Sequence, residues 1–295
     1  MKIDINLCTF RRPEVVETLR SIDRLQIPEG VQLRVIVIDN DHAPSARARV
    51  EAMADGMKLP VTYTHAPAGN IALARNAGLD LSEADWVAFL DDDETVGPDW
   101  LAAMIERQRE TGADAVFGHS RAAYDETAPA WIVARDYHSN IVEARGGVVE
   151  TGYTCNSLLR WGDAPWTDQR FDLSRGRSGG EDTEFFFRLR AMGASYAIAD
   201  KATAHERVSP NRLTFQWLRQ RKFRMGQSYS VSARGPAASA RLFCTAAAKA
   251  AFCHGRALLS LPSAEARNYW LLRGALHLGV CTGVLSMPSR DLYGT

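Results

Sequence analysis

The sequence predicts an α/β protein: a Rossmann-like, mostly parallel sheet flanked by helices, followed by a C-terminal helical extension. Three observations carry this. Short apolar or β-branched runs alternate with helical stretches of about ten residues, the pattern of βαβ units. One of those runs stops at three consecutive aspartates, 91–93. Past residue 211 the chain reads as helix, ending in two Ala/Leu-rich stretches.

The elements follow in order. Residues 2–9 read as a strand and 13–25 as a helix. Residues 34–39 (RVIVID) form a β-branched strand, 44–53 a helix, 61–65 a short strand and 71–81 a helix. Residues 86–90 are a five-residue apolar run bounded by acids and Gly97-Pro98, the signature of a buried strand ending at the surface. A helix over 98–108 and a strand over 113–118 complete the regular part. Residues 119–180 are irregular apart from a strand at 153–159. Then come a helix over 181–192, a strand over 195–199 and helices over 212–229, 237–260 and 264–285. The Gly235-Pro236 turn divides a body, 1–235, from an extension, 236–295.

Of the 295 residues, 24% are charged and 46% hydrophobic, a globular balance. Net charge is zero but unevenly spread: residues 201–295 hold 14 Lys and Arg against three Asp and Glu. The body is therefore acidic and the tail basic, as if one held a metal and the other faced phosphates or a membrane surface. No nucleic-acid partner is expected. The five cysteines form no CxxC pair and are odd in number, so neither zinc nor a disulfide framework is expected. With no leader-like or spanning stretch in view, a cytoplasmic location is expected.

The chemistry-bearing residues gather at strand ends. Asp91, Asp92 and Asp93, with Glu94 behind them, concentrate charge at the carboxyl edge of a strand, where open α/β sheets place ligands. A divalent cation would relieve their repulsion; an acidic turn before the next helix would look the same. Thr9 and Asp39 end the first two strands, and each reads either as a nucleobase contact or as a turn residue. Arg11 follows the first strand; Gly69 and Asn70 open a helix that carries Arg75 one turn in. Asp182 sits in a first helical turn after a glycine-rich stretch, suited either to stabilising the helix dipole or to acting as a general base. His205 is a candidate metal ligand or a surface histidine. Arg221 and Arg224 sit among aromatics on a basic helix, which reads as a diphosphate site or a solvated face.

Five segments, CTFRRP, VIDND, GNIALARNAGL, FLDDDE and GGEDTEFFFRL, occur in the order and spacing that resembles family 2 glycosyltransferases of GT-A fold, over roughly residues 1–230. The resemblance implies a UDP-sugar donor, with Thr9 and Asp39 on the uracil, Arg75 against the nucleotide, and Arg11, Asn70 and Asp92 lining its site. It implies a Mn²⁺ or Mg²⁺ ion held by Asp91 and Asp93 with His205, and Asp182 as the base. Arg221 or Arg224 would assist the leaving diphosphate. The QxxRW motif of processive members is not intact; residues 220–224 read QRKFR. Addition of a single sugar is implied, glucose by the nearest likeness, with inversion, onto a lipid-linked oligosaccharide of exopolysaccharide synthesis. Two rivals are a sugar nucleotidyltransferase, which lacks support from any glycine in the loop after the first strand, and a non-catalytic sugar-nucleotide-binding component. The extension has two readings as well: attachment to the inner membrane face beside the acceptor, or a covering or homodimer contact.

Overall fold

The computed structural model describes residues 1–233 and 235–285. Eight strands form one sheet in the order β3-β2-β1-β4-β7-β6-β8-β5. Its first half is the predicted parallel array: β1 (Lys2–Thr9), β2 (Gln32–Asp39), β3 (Val61–His65) and β4 (Trp86–Asp91). The crossovers are α1 (Val15–Asp23), α2 (Arg47–Ala54) and α3 (Ile71–Leu81). Asn70 caps α3 by accepting from Leu73 N at 3.1 Å.

The second half mixes parallel and antiparallel pairs. The chain turns straight from β4 into β5 (Glu94–Val96), which lies at the opposite edge of the sheet and pairs antiparallel with β8 (Tyr196–Arg207). After α4 (Trp100–Thr111), β6 (Ala115–Ala123) and the short α5 (Ala130–Val133), β7 (Asn156–Arg160) enters antiparallel between β4 and β6. It can do so because the irregular stretch before it reverses the chain with no crossover helix. Then follow α6 (Glu181–Ala191), β8, α7 (Phe215–Tyr229), α8 (Pro236–Leu259) and α9 (Ala264–Val284).

The sheet is buried on both faces, which is why β4 reads as an uninterrupted apolar run. Strand alternation sends Trp86, Ala88 and Leu90 to the α1/α4 side and Val87 and Phe89 to the other. That second face is aromatic: Phe117 packs edge-on against Phe186, ring centroids 4.7 Å apart, among Trp161, Trp166 and Phe185. The C-terminal helices close over the sheet's carboxyl edge through α7. A Cβ on Gly226 of α7 would collide with Leu276 O, and one on Gly279 of α9 with Phe223 O, so the two backbones meet where neither has a side chain.

Candidate active site

Strand register builds the site. Thr9 lies opposite Asp39 and Cys8 opposite Asp91, so the ends of β1, β2 and β4 line up at one edge. Beneath α7 that edge becomes a cavity of about 1110 Å³. Thr9, Arg75, Asp91, Asp92, Asp93, Asp182, Arg221 and Arg224 all line it.

The carboxylates are held by Arg12 and Arg212, which the sequence did not single out, and by Arg75, which it did. Arg12 donates to Asp92 Oδ1 at 3.2 Å and pairs with Asp93. Arg212 pairs with Glu206 and lies 3.8 Å from Asp93. Arg75, 7% exposed, pairs with Glu181, 4% exposed, and lies 3.7 Å from Asp91. Burial works against the charges of Arg12 and Arg75, but Asp92 and Asp93 on the one and Glu181 and Asp91 on the other outweigh it.

The acids are crowded. Asp91 keeps 44% of its side-chain surface, yet it stands at the cavity floor with protein around it. That desolvation and neighbouring Asp93 push its pKa up, against the pull of Arg75. Burial raises Asp92 to about 7 despite Arg12. Burial and Asp91 raise Glu94, which accepts from Ser120 Oγ; burial and Asp93 raise Glu206. A divalent cation would relieve this repulsion. Among the described residues, however, no three His, Cys, Asp or Glu gather closely enough to hold an ion alone. Asp91 and Asp93 offer the oxygen donors that Mn²⁺ and Mg²⁺ take, in the number that suffices when substrate phosphates complete the shell.

Asp182 sits one residue into α6, after Gly180 (φ +85°), which is in the left-handed region and where a Cβ would collide with Ser228 Oγ. Both hydrogen bonds to the Asp182 carboxylate, from Thr183 N at 2.6 Å and Thr183 Oγ1 at 3.3 Å, end on Oδ1. Among the described residues no hydrogen bond ends on its Oδ2, and Asp182 lines the cavity. Cys8 and Cys155 line the same cavity as neutral thiols, since burial pushes Cys8 up to about 12 and Cys155 well above its ordinary value.

Arg221 is anchored by Asn140 Oδ1 at 2.7 Å and His138 O at 3.2 Å and lies over Trp217. Arg224 donates to Ser178 O, in the stretch leading to α6. Lys222 between them is pulled down to about 8 by burial and Arg221.

Four of the residues singled out lie outside the cavity lining. Asp39 is fully buried, with Asp41 N at 3.1 Å, Ala46 N at 2.8 Å and Tyr63 OH at 2.8 Å on its carboxylate, so it braces the turn after β2. Asn70 is spent on capping α3 and on Leu173 O at 2.9 Å. Arg11 has φ +58°, and the bend sends it outward to Asp41 at 2.9 Å while Arg12 turns in. His205 is exposed on β8, opposite Thr95. Adjacent strand residues face opposite sides, so Glu206, not His205, enters the cavity. The expected placement of His205 beside the aspartates is therefore corrected.

The sheet and its helices have a fold of GT-A type, and the chain belongs to glycosyltransferase family 2. The profile described as Glycosyl transferase family 2 matches residues 5–162. Across its whole length the chain is 46% identical, over 297 residues, to the succinoglycan biosynthesis protein ExoM of Rhizobium meliloti (strain 1021), covering 96% of it. A GalNAc(5)-diNAcBac-PP-undecaprenol beta-1,3-glucosyltransferase of Campylobacter jejuni is 28% identical over 123 residues, 40% of this chain and 38% of that one. Two solved structures share the fold. Mannosyltransferase PcManGT from Pyrobaculum calidifontis, in complex with GDP-Man and Mn²⁺, matches with TM-score 0.67 and 16% identity over 97% of this chain and 87% of its own. S. aureus TarS 1-349, in complex with UDP-GlcNAc, matches with TM-score 0.52 and 13% identity over 98% and 93%.

Proposed function

We propose that this glycosyltransferase transfers one sugar, glucose, from its UDP donor to a hydroxyl of a polyprenyl-diphosphate-linked oligosaccharide in exopolysaccharide synthesis, inverting the anomeric centre. The observation that carries this reading is the single cavity that joins Asp91 and Asp93 to Asp182. The kinship with the succinoglycan protein and with an undecaprenol-diphosphate glucosyltransferase supports the sugar and the acceptor class. Asp182 Oδ2 takes the acceptor hydroxyl proton as the oxygen attacks from the side opposite the leaving UDP. Thr9 and Arg75 line the nucleotide side, and Arg221 and Arg224 face the diphosphate. Asp91 and Asp93 would hold Mn²⁺ or Mg²⁺ on the diphosphate; when bound, the ion neutralises charge growing on the leaving group.

Contact with the inner membrane face is part of the same reading. No helix among the described residues is long and apolar enough to cross a membrane. At the α8–α9 turn, however, Phe252, Leu258, Leu259 and Leu261 are 61%, 68%, 77% and 59% exposed, with Arg256 and Arg267 nearby in sequence. An apolar tip flanked by arginines suits an anionic bilayer surface.

The test is UDP release across a panel of UDP-sugars with a lipid-linked acceptor, with and without chelator. Asp182→Asn should bind UDP like the wild type yet transfer sugar about 10²–10⁴-fold more slowly. Transfer at the wild-type rate would remove the base assignment; transfer undiminished by chelator would remove the metal.

A further inference from the structure

We propose that Arg12 is an exchangeable counter-ion: it neutralises Asp92 and Asp93 until a divalent cation takes Asp93 from it, and it then turns to the diphosphate of the nucleotide donor. The proposal rests on the UDP donor and the metal of the functional reading, and it assigns a donor ligand to the loop after β1.

The placement of Arg12 is the first ground. Its Nη1 donates to Asp92 Oδ1 at 3.2 Å and pairs with Asp93. Burial works against its charge, but Asp92 and Asp93, then Asp91 and Glu206, outweigh that. One guanidinium thus lies in the field of all three aspartates at the end of β4. It also lies over them. Arg12 keeps 34% of its side-chain surface and lines the cavity, whereas the side chains of Asp92 and Asp93 keep 7% and 14%. An ion that coordinates Asp93 from the cavity must therefore displace the arginine. The two cations repel each other, and the ion's close shell of oxygens leaves no place for a guanidinium on the same carboxylate oxygen. Arg212, 3.8 Å from Asp93, has Glu206 to retain it. Among the described residues Arg12 is ion-paired to Asp92 and Asp93 alone.

The frame around Arg12 is the second ground. Thr18 Oγ1 of α1 donates to Asp92 O at 3.0 Å, and Ser21 Oγ accepts from Val96 N at 3.2 Å. Both bonds are buried and clamp α1 to the turn that carries the aspartates. Pro13 follows Arg12 and restricts the backbone beside it. The exchange is thus a movement of one long side chain, with the loop and the acids kept in place. Once released, the guanidinium remains in the cavity, where its planar fork matches two phosphate oxygens. Each ligand then removes a cost of binding the other. The ion frees the arginine, and the diphosphate gives it a new partner, so the two bind with reciprocal coupling.

The experiment titrates Mn²⁺ into the full chain without nucleotide and again with UDP, following the paramagnetic resonance of the free ion. UDP is then titrated by calorimetry at saturating Mn²⁺. Arg12→Met should bind Mn²⁺ alone about tenfold or more tightly than wild type, and UDP at saturating Mn²⁺ about tenfold or more weakly. The opposite signs are diagnostic, because a residue that only supports the fold would weaken both. Arg12→Lys keeps the charge without the fork; it should fall between the two proteins in both titrations, and it carries the test if the Met variant does not fold. Mn²⁺ affinity that does not rise, or UDP affinity that does not fall, in a folded variant would overturn the exchange. If wild type binds Mn²⁺ and UDP and the variants match it, the exchange alone fails; if wild type with UDP binds no Mn²⁺, the metal of the functional reading fails and the exchange with it.

Discussion

Replacing Arg75 by Met tests the central ion pair of the site, and the structure sets the size of the effect. Arg75 and Glu181 are both almost fully buried and join α3 to the first turn of α6, 106 residues apart. Glu181 Oε2 already lacks a partner, so removing Arg75 strands the whole carboxylate. Breaking a buried pair on one side costs about 3–5 kcal/mol. Protonation of Glu181 limits that cost at low pH. Burial raises its pKa from the ordinary 4.5 to about 7, with Arg75 pulling down and Asp182 pushing up. A raised carboxyl pKa means the folded state holds the proton more tightly than the unfolded one. Stability from this group is therefore full at low pH and is lost as pH rises from the unfolded value through the folded one. Wild type has lost most of it by pH 7. Without Arg75 the folded pKa moves higher, and the variant goes on losing about 1.4 kcal/mol per pH unit above 7. Urea unfolding at pH 6, 7 and 8 should show a gap between variant and wild type that widens with pH. Arg75→Met/Glu181→Met should recover most of the loss, because it leaves no buried charge unpaired. A single variant that costs under about 1 kcal/mol, a gap that does not change with pH, or a double variant no better than the single would refute the reasoning.

Two further outcomes are expected. His205→Ala should leave Mn²⁺-dependent UDP affinity within about twofold, because the imidazole points away from the acids, whereas Asp93→Ala should weaken it about tenfold or more; a large loss in His205→Ala by UDP titration would restore the histidine to the site. Leu258→Glu/Leu259→Glu should abolish co-sedimentation with anionic liposomes at low salt while leaving the thermal midpoint within about 2 °C. Co-sedimentation unchanged from wild type would place any membrane contact elsewhere.

The parallel half of the sheet and the aspartates at its edge were legible because both rest on local signals: a buried strand must be apolar, and its end must meet solvent. What was hidden depended on register and bends. Asp200 and Lys201 interrupt the apolar run of β8, and the register slips between Phe117 and His119 on its neighbour β6. The strand therefore seemed to end at residue 199 rather than Arg207, and the facing of 205 and 206 could not be counted. Similarly, nothing in Arg11-Arg12 announces the positive φ that turns the first outward and the second onto Asp92 and Asp93. Glu181 and Asp182 look alike in the sequence. Only the return of α3 beneath α6 shows that one is tied to Arg75 and the other is left to face the cavity. Arg212 and Glu206 pair across the bend between β8 and α7, a contact no spacing rule covers.

The most direct measurement is a crystal structure of the full chain with UDP and Mn²⁺. The account predicts the ion at about 2.0–2.3 Å from carboxylate oxygens of Asp91 or Asp93 and bridged to the diphosphate, with Asp182 facing the open side. A nucleotide bound away from the end of β4, with those aspartates still closed on Arg12 and Arg75, would contradict it.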